Sequence, residues 1–403
     1  MNELTPPLSK SDAQRALVLA DVLGVTGIIA PDEVLPRDVE VLRRGLVALR
    51  QTDAHVDCHD GGAPFRFLLT QAALRPEGHT ARFLGSLRLG ARPHGPLLQS
   101  LRAALHCTIE PGPEFWPLVV RTGPDAFSVR RFEVTGLESS QFASSLLLGA
   151  ARVAHRTNRR CEVGVEGALT SVGYLELTQQ WVERTGFKTR REGHRWSVEP
   201  PTGAVPFPPV PGDWSSLTYL LLLGWKSGAV VSRVSFESGH PDERFASHLR
   251  SVGLQLRSLG GQRVIVEGVP TGGLTVDAEQ CPDAVPALVA LACILPELSR
   301  FTRIGVLRHK ESDRVEGVCD LARRIGATAE VDGETLRVTP AKTVARELEF
   351  DARDDHRLAM SSAVLSALTG SALSLRGADS VAKSFPLFWN EARRVGLTVR
   401  HLE

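Results

Sequence analysis

An excess of charge of either sign is missing from this chain. Its 403 residues carry 47 Lys and Arg against 46 Asp and Glu, a net charge of +1, so no global positive field is available to hold a nucleic acid. Aromatic residues are scarce as well, at 6%, too few to build a platform on which bases stack. Long apolar runs are absent: the longest, Val285 to Leu295, falls far short of the ~18 residues that argue a membrane span. The opening "MNELTPPLSK" has no apolar signal core, and the chain is read as cytoplasmic with no membrane partner. Cysteine pairs are missing too. Cys58, Cys107, Cys161, Cys281, Cys293 and Cys319 show no CxxC spacing, which argues against a zinc site or a disulfide framework and makes them reduced, half-buried fillers.

What is present belongs to an ordinary globular chain. Hydrophobic residues make up 42% and charged residues 23%, with no low-complexity tract, so disorder is not needed to explain any segment. The length exceeds what one hydrophobic core usually holds, and two domains are expected. Alternating stretches such as "RRFEVTG", "QRVIVEG", "ETLRVTP" and "RELEFDA" read as strands, and helices of small and aliphatic residues lie between them. The class is therefore α/β or α+β. "FEVTGLESSQFASSLLLGA", "LTVDAEQCPDAVPALVALA" and "LEFDARDDHRLAMSSAVLSA" repeat one design, a strand, a polar loop and a nearly all-apolar helix. A helix that is apolar all round has to be buried all round, which puts the strands outside and the helices inside. The proline-rich "PPTGAVPFPPVPGD", Pro200 to Asp213, forbids regular structure and marks the domain boundary.

The polar loops gather at helix starts. In "LRHKESDRVEGVCDLARRIG" the residues Arg308 to Arg314 are all polar, and Asp313 followed by Glu316 has the spacing of a helix cap. A helix N-terminus carries partial positive charge, so Lys310 and Arg314 beside it make an anion pocket, while Glu311 has no evident structural reason to be there. "LSKSDAQRALVLADVLG" reads the same way, with Ser11 and Gln14 spaced as a capping box, Lys10 just before the helix and Arg15 in its first turn. Gly61 and Gly62 in "DGGAPFRFLL" allow close backbone approach to a ligand, with Arg66 following. "ESSQFASS" supplies Ser139, Ser140 and Gln141, "RDDHRLAM" supplies Asp355, His356 and Arg357, and "AKSFPLF" supplies Lys383. Each loop alone has an ordinary explanation as a cap, a turn or a solvated surface. Together, cation-bearing loops ahead of buried helices in a chain of net charge +1 point to a multiply charged ligand. One charge pair at ~4 Å contributes about 4 kcal/mol before desolvation at an effective dielectric near 20.

Taken in order, these loops resemble the 5-enolpyruvylshikimate-3-phosphate synthase family of enolpyruvyl transferases. The resemblance rests on "SKS" with Arg15, "RPHGPLL" (Arg92 to Leu98), "SSQF" (Ser139 to Phe142), "KESDR" (Lys310 to Arg314) and "DHRLAM" (Asp355 to Met360), and spans nearly the whole chain. It implies a two-domain inside-out α/β barrel, each domain built from three βαβαββ units with buried helices. Residues 9–210 would form the lobe that holds shikimate 3-phosphate, and 1–8 with 211–403 the lobe that closes over phosphoenolpyruvate, with hinge crossings near 9 and 210.

The implied reaction moves the enolpyruvyl group of phosphoenolpyruvate to the 5-hydroxyl of shikimate 3-phosphate, releasing phosphate, on the route to chorismate and the aromatic amino acids. The resemblance implies no cofactor and no metal, and a monomer is expected. By motif, Ser11, Arg15, Ser139, Ser140, Gln141, Ser171, Tyr174, Asp283 and Lys310 would hold shikimate 3-phosphate. Lys10, Gly62, Arg92, Gln141, Arg314, Arg357 and Lys383 would surround phosphoenolpyruvate, and Lys10, Asp283, Glu311 and His356 would be catalytic.

The chain also departs from the family pattern. Asp60, Gly61, Gly62 and Ala63 stand where an Asn-Ala-Gly-Thr-like run is usual, Gln14 where Asn or His is common, and Val172-Gly173 where Lys-Pro is usual. Asp60 facing the phosphoenolpyruvate carboxylate would repel it unless an arginine paired with it. Two other readings follow, an enolpyruvyl transferase with a different alcohol acceptor and a non-catalytic binding homologue. The UDP-N-acetylglucosamine branch fits "SKS" and "KESDR" less well.

Overall fold

The computed structural model describes residues 2–135, 140–167, 172–236 and 238–402. Along the chain come β1 (Glu3–Leu4), α1 (Lys10–Leu23) and α2 (Arg37–Ala48). A first βαβαββ unit contains β2 (Asp53–Asp57), α3 (Gly62–Ala73), β3 (Thr80–Leu84), α4 (Leu87–Gly90), α5 (Gly95–Leu105), β4 (Thr108–Gly112) and β5 (Phe115–Arg121). A second contains β6 (Arg131–Thr135), α6 (Ser140–Thr157), β7 (Cys161–Glu166), α7 (Val172–Arg184), β8 (Lys188–Glu192) and β9 (Arg195–Glu199). After the proline-rich crossing follow α8 (Trp214–Ser227), β10 (Val230–Val231), α9 (Arg244–Ser251), β11 (Gln255–Gly260) and β12 (Arg263–Glu267), with β1 pairing in parallel onto β10 to complete the unit. Then come β13 (Thr275–Asp277), α10 (Val285–Ala292), β14 (Ser299–Thr302), α11 (Arg314–Ile325), β15 (Thr328–Asp332) and β16 (Thr335–Thr339). The last elements are β17 (Glu347–Asp351), α12 (His356–Thr369), β18 (Ala372–Arg376), α13 (Phe388–Arg394) and β19 (Val399–Leu402).

The sheets repeat one topology because each unit is wired alike. Two parallel strands are followed by a hairpin whose second strand returns to the centre, giving the orders β2-β3-β5-β4, β6-β7-β9-β8, β1-β10-β12-β11 and β13-β14-β16-β15; a helical crossover joins the parallel strands except in β1-β10, where the chain of the other compact unit intervenes before α8. The fifth sheet, β17-β18-β19, is parallel throughout. Contacts divide the chain into two compact units. The first is Lys10–Glu33 with Arg37–Val210, and the second combines the residues up to Ser9, Val34–Pro36 and the chain from Pro211 onward. The arrangement of three βαβαββ units per domain is met in abridged form: α1 and α2 of the first unit carry no sheet of their own among the described residues, and the last sheet of the second unit has three strands.

Helices lie inside and strands outside in both units. All eight residues of α10 are buried, as are twelve of the fourteen in α12 and eleven of the twelve in α3. The strands β2, β6 and β17 alternate exposed and buried residues, the pattern of a sheet with one wet face. Each unit thus has its own core, one around Leu68, Phe142 and Trp181, the other around Leu220, Leu288 and Leu365. Aspartates start the buried helices of the second unit: Asp213 accepts the Ser216 amide at 2.9 Å and Asp313 the Glu316 amide at 3.1 Å. Gly228, Gly326 and Gly370 end them in the left-handed conformation.

Three local readings are corrected. α1 begins at Lys10, so Ser11 lies inside its first turn and does not cap it; Gln14 is buried, and its Nε2 has no partner among the described residues. The six cysteines are fully buried rather than half-buried, all of them free. Glu316 completes only half a capping box, because its carboxylate turns to Arg353 at 2.8 Å. Among the described residues no helix is long and apolar enough to cross a membrane.

Candidate active site

In the second unit, the charged run ahead of α11 and the loop ahead of α12 meet on one guanidinium. The Asp313 cap starts α11 at Arg314, which is 1% exposed. Three carboxylates take its nitrogens: Nη1 donates to Asp283 Oδ1 at 2.7 Å, Nη2 to Glu311 Oε2 at 2.7 Å and Nε to Asp355 Oδ2 at 2.8 Å. Each of the first two then reaches further cations. Asp283 lies 3.8 Å from Lys310 Nζ and 3.6 Å from Arg357 Nη2, and Glu311 lies 3.4 Å from Lys383 Nζ. Glu311 therefore has a structural reason after all, since it ties Arg314 to Lys383. Burial alone would raise the Asp283 carboxyl, but Lys310, Arg357 and Arg314 outweigh it and hold Asp283 well below the usual carboxylate range. Asp283 is thus ionised at neutral pH.

Arg357 is placed differently. Two consecutive non-glycine residues at positive φ, Arg353 (52°) and Asp354 (54°), turn the chain so that Asp355 caps α12 by accepting the Arg357 amide at 2.9 Å. The Arg357 side chain is as buried as that of Arg314, yet its Nε and Nη1 find no acceptor among the described residues. Buried charged donors left open are costly and mark a place where an anion would be welcome. His356 opens α12 beside it, its Nδ1 3.9 Å from Asp355 Oδ1. Asp242, wholly buried, accepts the Ser215 hydroxyl at 2.5 Å. Burial pushes its carboxyl up against the pull of His240, with Asp283 pushing the same way.

In the first unit, Lys10 Nζ lies 3.4 Å from Asp38 Oδ2, which joins the first turns of α1 and α2. Arg15 binds α1 to α7: its Nε donates to Thr178 Oγ1 at 2.7 Å, Nη1 to the Ser11 carbonyl at 2.7 Å and Nη2 to the Tyr174 carbonyl at 2.8 Å. Burial brings its pKa down to about 10, with Asp12 and Tyr174 offsetting part of the effect. Arg66 donates to Gln141 Oε1 at 2.5 Å and to the Pro93 carbonyl at 3.0 Å, with its guanidinium over the Phe142 ring. Gly62 sits under Arg92, since a Cβ placed on it would lie 2.7 Å from Arg92 Nη1. Asp60 is exposed and accepts the Ser86 hydroxyl at 2.5 Å. His94 is buried next to these arginines, and burial, helped by Arg66 and Arg92, lowers its pKa to about 3.

A family model for EPSP synthase (3-phosphoshikimate 1-carboxyvinyltransferase) matches residues 2–392. The chain belongs to the EPSP synthase family. The chain is similar to the 3-phosphoshikimate 1-carboxyvinyltransferase of Methanopyrus kandleri, 32% identical over 98% of this chain and 90% of that one. Its fold is similar to that of the EPSP synthase of Acinetobacter baumannii, with a TM-score of 0.71, 18% identity and coverage of 98% and 96% of the two chains. It is also similar to the enolpyruvyl transferase NikO of Streptomyces tendae, with a TM-score of 0.67, 13% identity and coverage of 99% and 95%.

As an EPSP synthase family member, the chain gathers its motif residues in two sets. Asp283, Lys310, Glu311, Arg314, His356, Arg357 and Lys383 cluster in the second unit. In the first unit, Arg66 joins the α3 start at Gly62 to Gln141 of α6, and Arg15 joins Ser11 to Tyr174 of α7. Ser140 is buried as the first residue of α6. Ser139 and Ser171 lie outside the described residues. Sequence reasoning missed Asp38 and Asp242 as partners, named Asp355 without its tie to Arg314, and undervalued Arg66. For Asp355 a signal existed, its place immediately before an apolar helix, whereas nothing local announces Asp38 or Asp242.

Proposed function

We propose that this chain transfers the enolpyruvyl group of phosphoenolpyruvate to the 5-hydroxyl of shikimate 3-phosphate. The products are 5-enolpyruvylshikimate 3-phosphate and phosphate, and the step belongs to chorismate and aromatic amino acid biosynthesis. Family membership supports this reading, and one observation carries it for this chain: the Arg314 assembly holds two carboxylates, Asp283 and Glu311, among cations while leaving Arg357 with open donors.

In this reading the hydroxyl oxygen bonds to C2 of phosphoenolpyruvate as it loses its proton, and the methylene carbon gains one. The resulting tetrahedral adduct then loses a proton from that methyl group and expels phosphate. Asp283, ionised at neutral pH, orients and accepts from the hydroxyl, and Glu311 and Lys10 exchange the protons. His356, next to Arg357 at the start of α12, is a further catalytic group. Lys10, Arg92, Arg314, Arg357 and Lys383, with Gly62 and Gln141, take the phosphate and carboxylate of phosphoenolpyruvate, and Arg314 also fixes Asp283 and Glu311. Ser11, Arg15, Ser139, Ser140, Gln141, Ser171, Tyr174 and Lys310 take shikimate 3-phosphate. Among them, Arg15 is held in place by the Ser11 and Tyr174 carbonyls, to which it donates.

We assign residues 9–210 to shikimate 3-phosphate and 1–8 with 211–403 to phosphoenolpyruvate. The crossings near 9 and 210 are the assigned hinge, where the Ser9 amide donates to the Pro211 carbonyl at 2.8 Å. The six free, buried cysteines fit a reducing cytoplasm, and a monomer is the assigned state.

The test is a phosphate-release assay with phosphoenolpyruvate, run with and without shikimate 3-phosphate. Release that depends on shikimate 3-phosphate and disappears in Lys10→Ala supports the reading. Binding of phosphoenolpyruvate in calorimetry without any binding of shikimate 3-phosphate overturns it in favour of a different acceptor.

A further inference from the structure

A cavity of about 590 Å³ lies in the first unit, and none of its lining residues belongs to the candidate active site. Its wall is built from the C-terminal turns of α1, α2, α3 and α6, where α1 and α2 lack a sheet of their own among the described residues. One side is apolar, with Val22, Leu46, Leu74 and Phe127. The other carries Arg50, Arg75, Arg152 and Arg156, against one lining carboxylate, Asp21. That carboxylate is already shared, 3.3 Å from Arg50 Nη2 and 2.6 Å from Arg152 Nη2.

Two buried donors in this wall have no acceptor among the described residues, Gln71 Nε2 and Arg75 Nε, on side chains 2% and 6% exposed. The remaining nitrogens of Arg75 reach backbone carbonyls, among them those of Thr80 and Thr52 at 3.1 Å each, and His79 Nδ1 at 3.0 Å. Among the described residues no carboxylate bonds to it, and burial lowers its pKa, with Asp53 offsetting part. Cations near a helix C-terminus complement the helix dipole, which accounts for Arg152 and Arg156 on the last turns of α6. It does not account for Arg75, a buried guanidinium two residues past the end of α3 with no ion pair among the described residues.

We propose that this cavity is a second binding site, for an organic anion whose phosphate or carboxylate lies among Arg50, Arg75, Arg152 and Arg156 and whose carbon body lies against Val22, Leu46, Leu74 and Phe127. Its volume is that of a small-molecule site, for which about 300–1,000 Å³ is usual. It is separate from the substrate site, because α1, α3 and α6 end at the cavity and start at Lys10, Gly62 and Ser140. Along α6 the two ends are about 24 Å apart.

Phenyl phosphate, which has an anionic head and an aromatic body, is the probe, titrated calorimetrically into the full chain carrying Arg357→Gln to weaken substrate-site binding. Expected is one site, weakened at least tenfold when Arg50→Gln and Arg156→Gln are added; both side chains are exposed, and Arg156 rests only on the Phe127 ring among its recorded partners. Inorganic phosphate is expected to bind several-fold more weakly than phenyl phosphate. Hydrogen exchange on the unsubstituted chain gives a readout independent of variant folding, with protection expected over Gln71–Arg75 and Arg152–Thr157. No binding at millimolar phenyl phosphate, binding indifferent to the added substitutions, equal affinity for inorganic phosphate, or protection confined to the helix starts overturns the proposal.

Discussion

Asp355 Oδ2 lies 2.8 Å from Nε of Arg314, a residue 41 positions earlier in the chain. The same carboxylate caps α12 through the Arg357 amide at 2.9 Å, so one side chain orders both arginines. Removing it by Asp355→Ala leaves Arg314 buried with one partner fewer, and a loss of about 3–5 kcal/mol in stability is expected. Asp355→Asn keeps the cap and is expected to lose less. Urea unfolding of the two variants checks the order.

Arg357 and Arg314 are expected to separate in their effects. Arg357→Gln removes the open donors, and at about 1.5–3 kcal/mol per charge-assisted hydrogen bond the Kd for phosphoenolpyruvate should rise ten-fold to more than a hundred-fold. Arg314 is already saturated by three carboxylates, so Arg314→Gln should act first on stability. Unchanged phosphoenolpyruvate affinity in Arg357→Gln, measured by calorimetry, refutes the assignment.

Glu311→Gln keeps the shape of the side chain and removes its charge. If Glu311 exchanges a proton during the reaction, kcat should fall by about 10²–10⁴, beyond the drop in Tm that follows from weakening its pair with buried Arg314. A role limited to tying Arg314 to Lys383 would instead raise KM and lower Tm at constant kcat.

Gly62→Ala tests the close approach of backbone to cation. The added Cβ would meet Arg92 Nη1 at 2.7 Å, the far end of a flexible side chain, so the fold should survive while the guanidinium moves aside. A raised KM for phosphoenolpyruvate with unchanged urea midpoint is expected; unchanged kinetics would remove Gly62 and Arg92 from the site.

His94 should leave a mark on the pH dependence of stability. Its folded pKa is lowered from 6.5 to about 3, so the unfolded chain takes up a proton first as pH falls. Its contribution is therefore complete above pH 6.5 and is lost between there and pH 3, with a slope of up to about 1.4 kcal/mol per pH unit. Comparison of unfolding free energies for the unsubstituted chain and His94→Gln over that interval isolates the effect, and equal slopes would falsify it.

Much of the architecture is readable from local pattern. "LTVDAEQCPDAVPALVALA" shows its strand and its all-buried helix by periodicity alone, and Asp313 with Glu316 shows where α11 starts. The start of α1 misleads, because Ser11 and Gln14 have capping-box spacing while the helix already begins at Lys10. The abridged third unit of the first lobe is likewise hidden, since nothing in "GVTGIIAPDEVLPRDVEVL" announces that, among the described residues, no sheet accompanies its helices.

Residue type and spacing were enough to name Lys10, Arg15, Lys310, Glu311, Arg314, Arg357 and Lys383, because caps and helix starts depend on neighbours within a turn or two, whereas Arg92 and Asp283 entered only through the family resemblance. Which of those cations keeps a donor open depended on the folded chain. Arg314 and Arg357 are both arginines at helix starts with buried side chains, yet Asp283, Glu311 and Asp355 saturate the first and leave Nε and Nη1 of the second unmet. Hydrogen-bond saturation is set by groups that arrive from distant parts of the chain. For the same reason the arginine-lined cavity at the far ends of α1, α3 and α6 exists only in three dimensions.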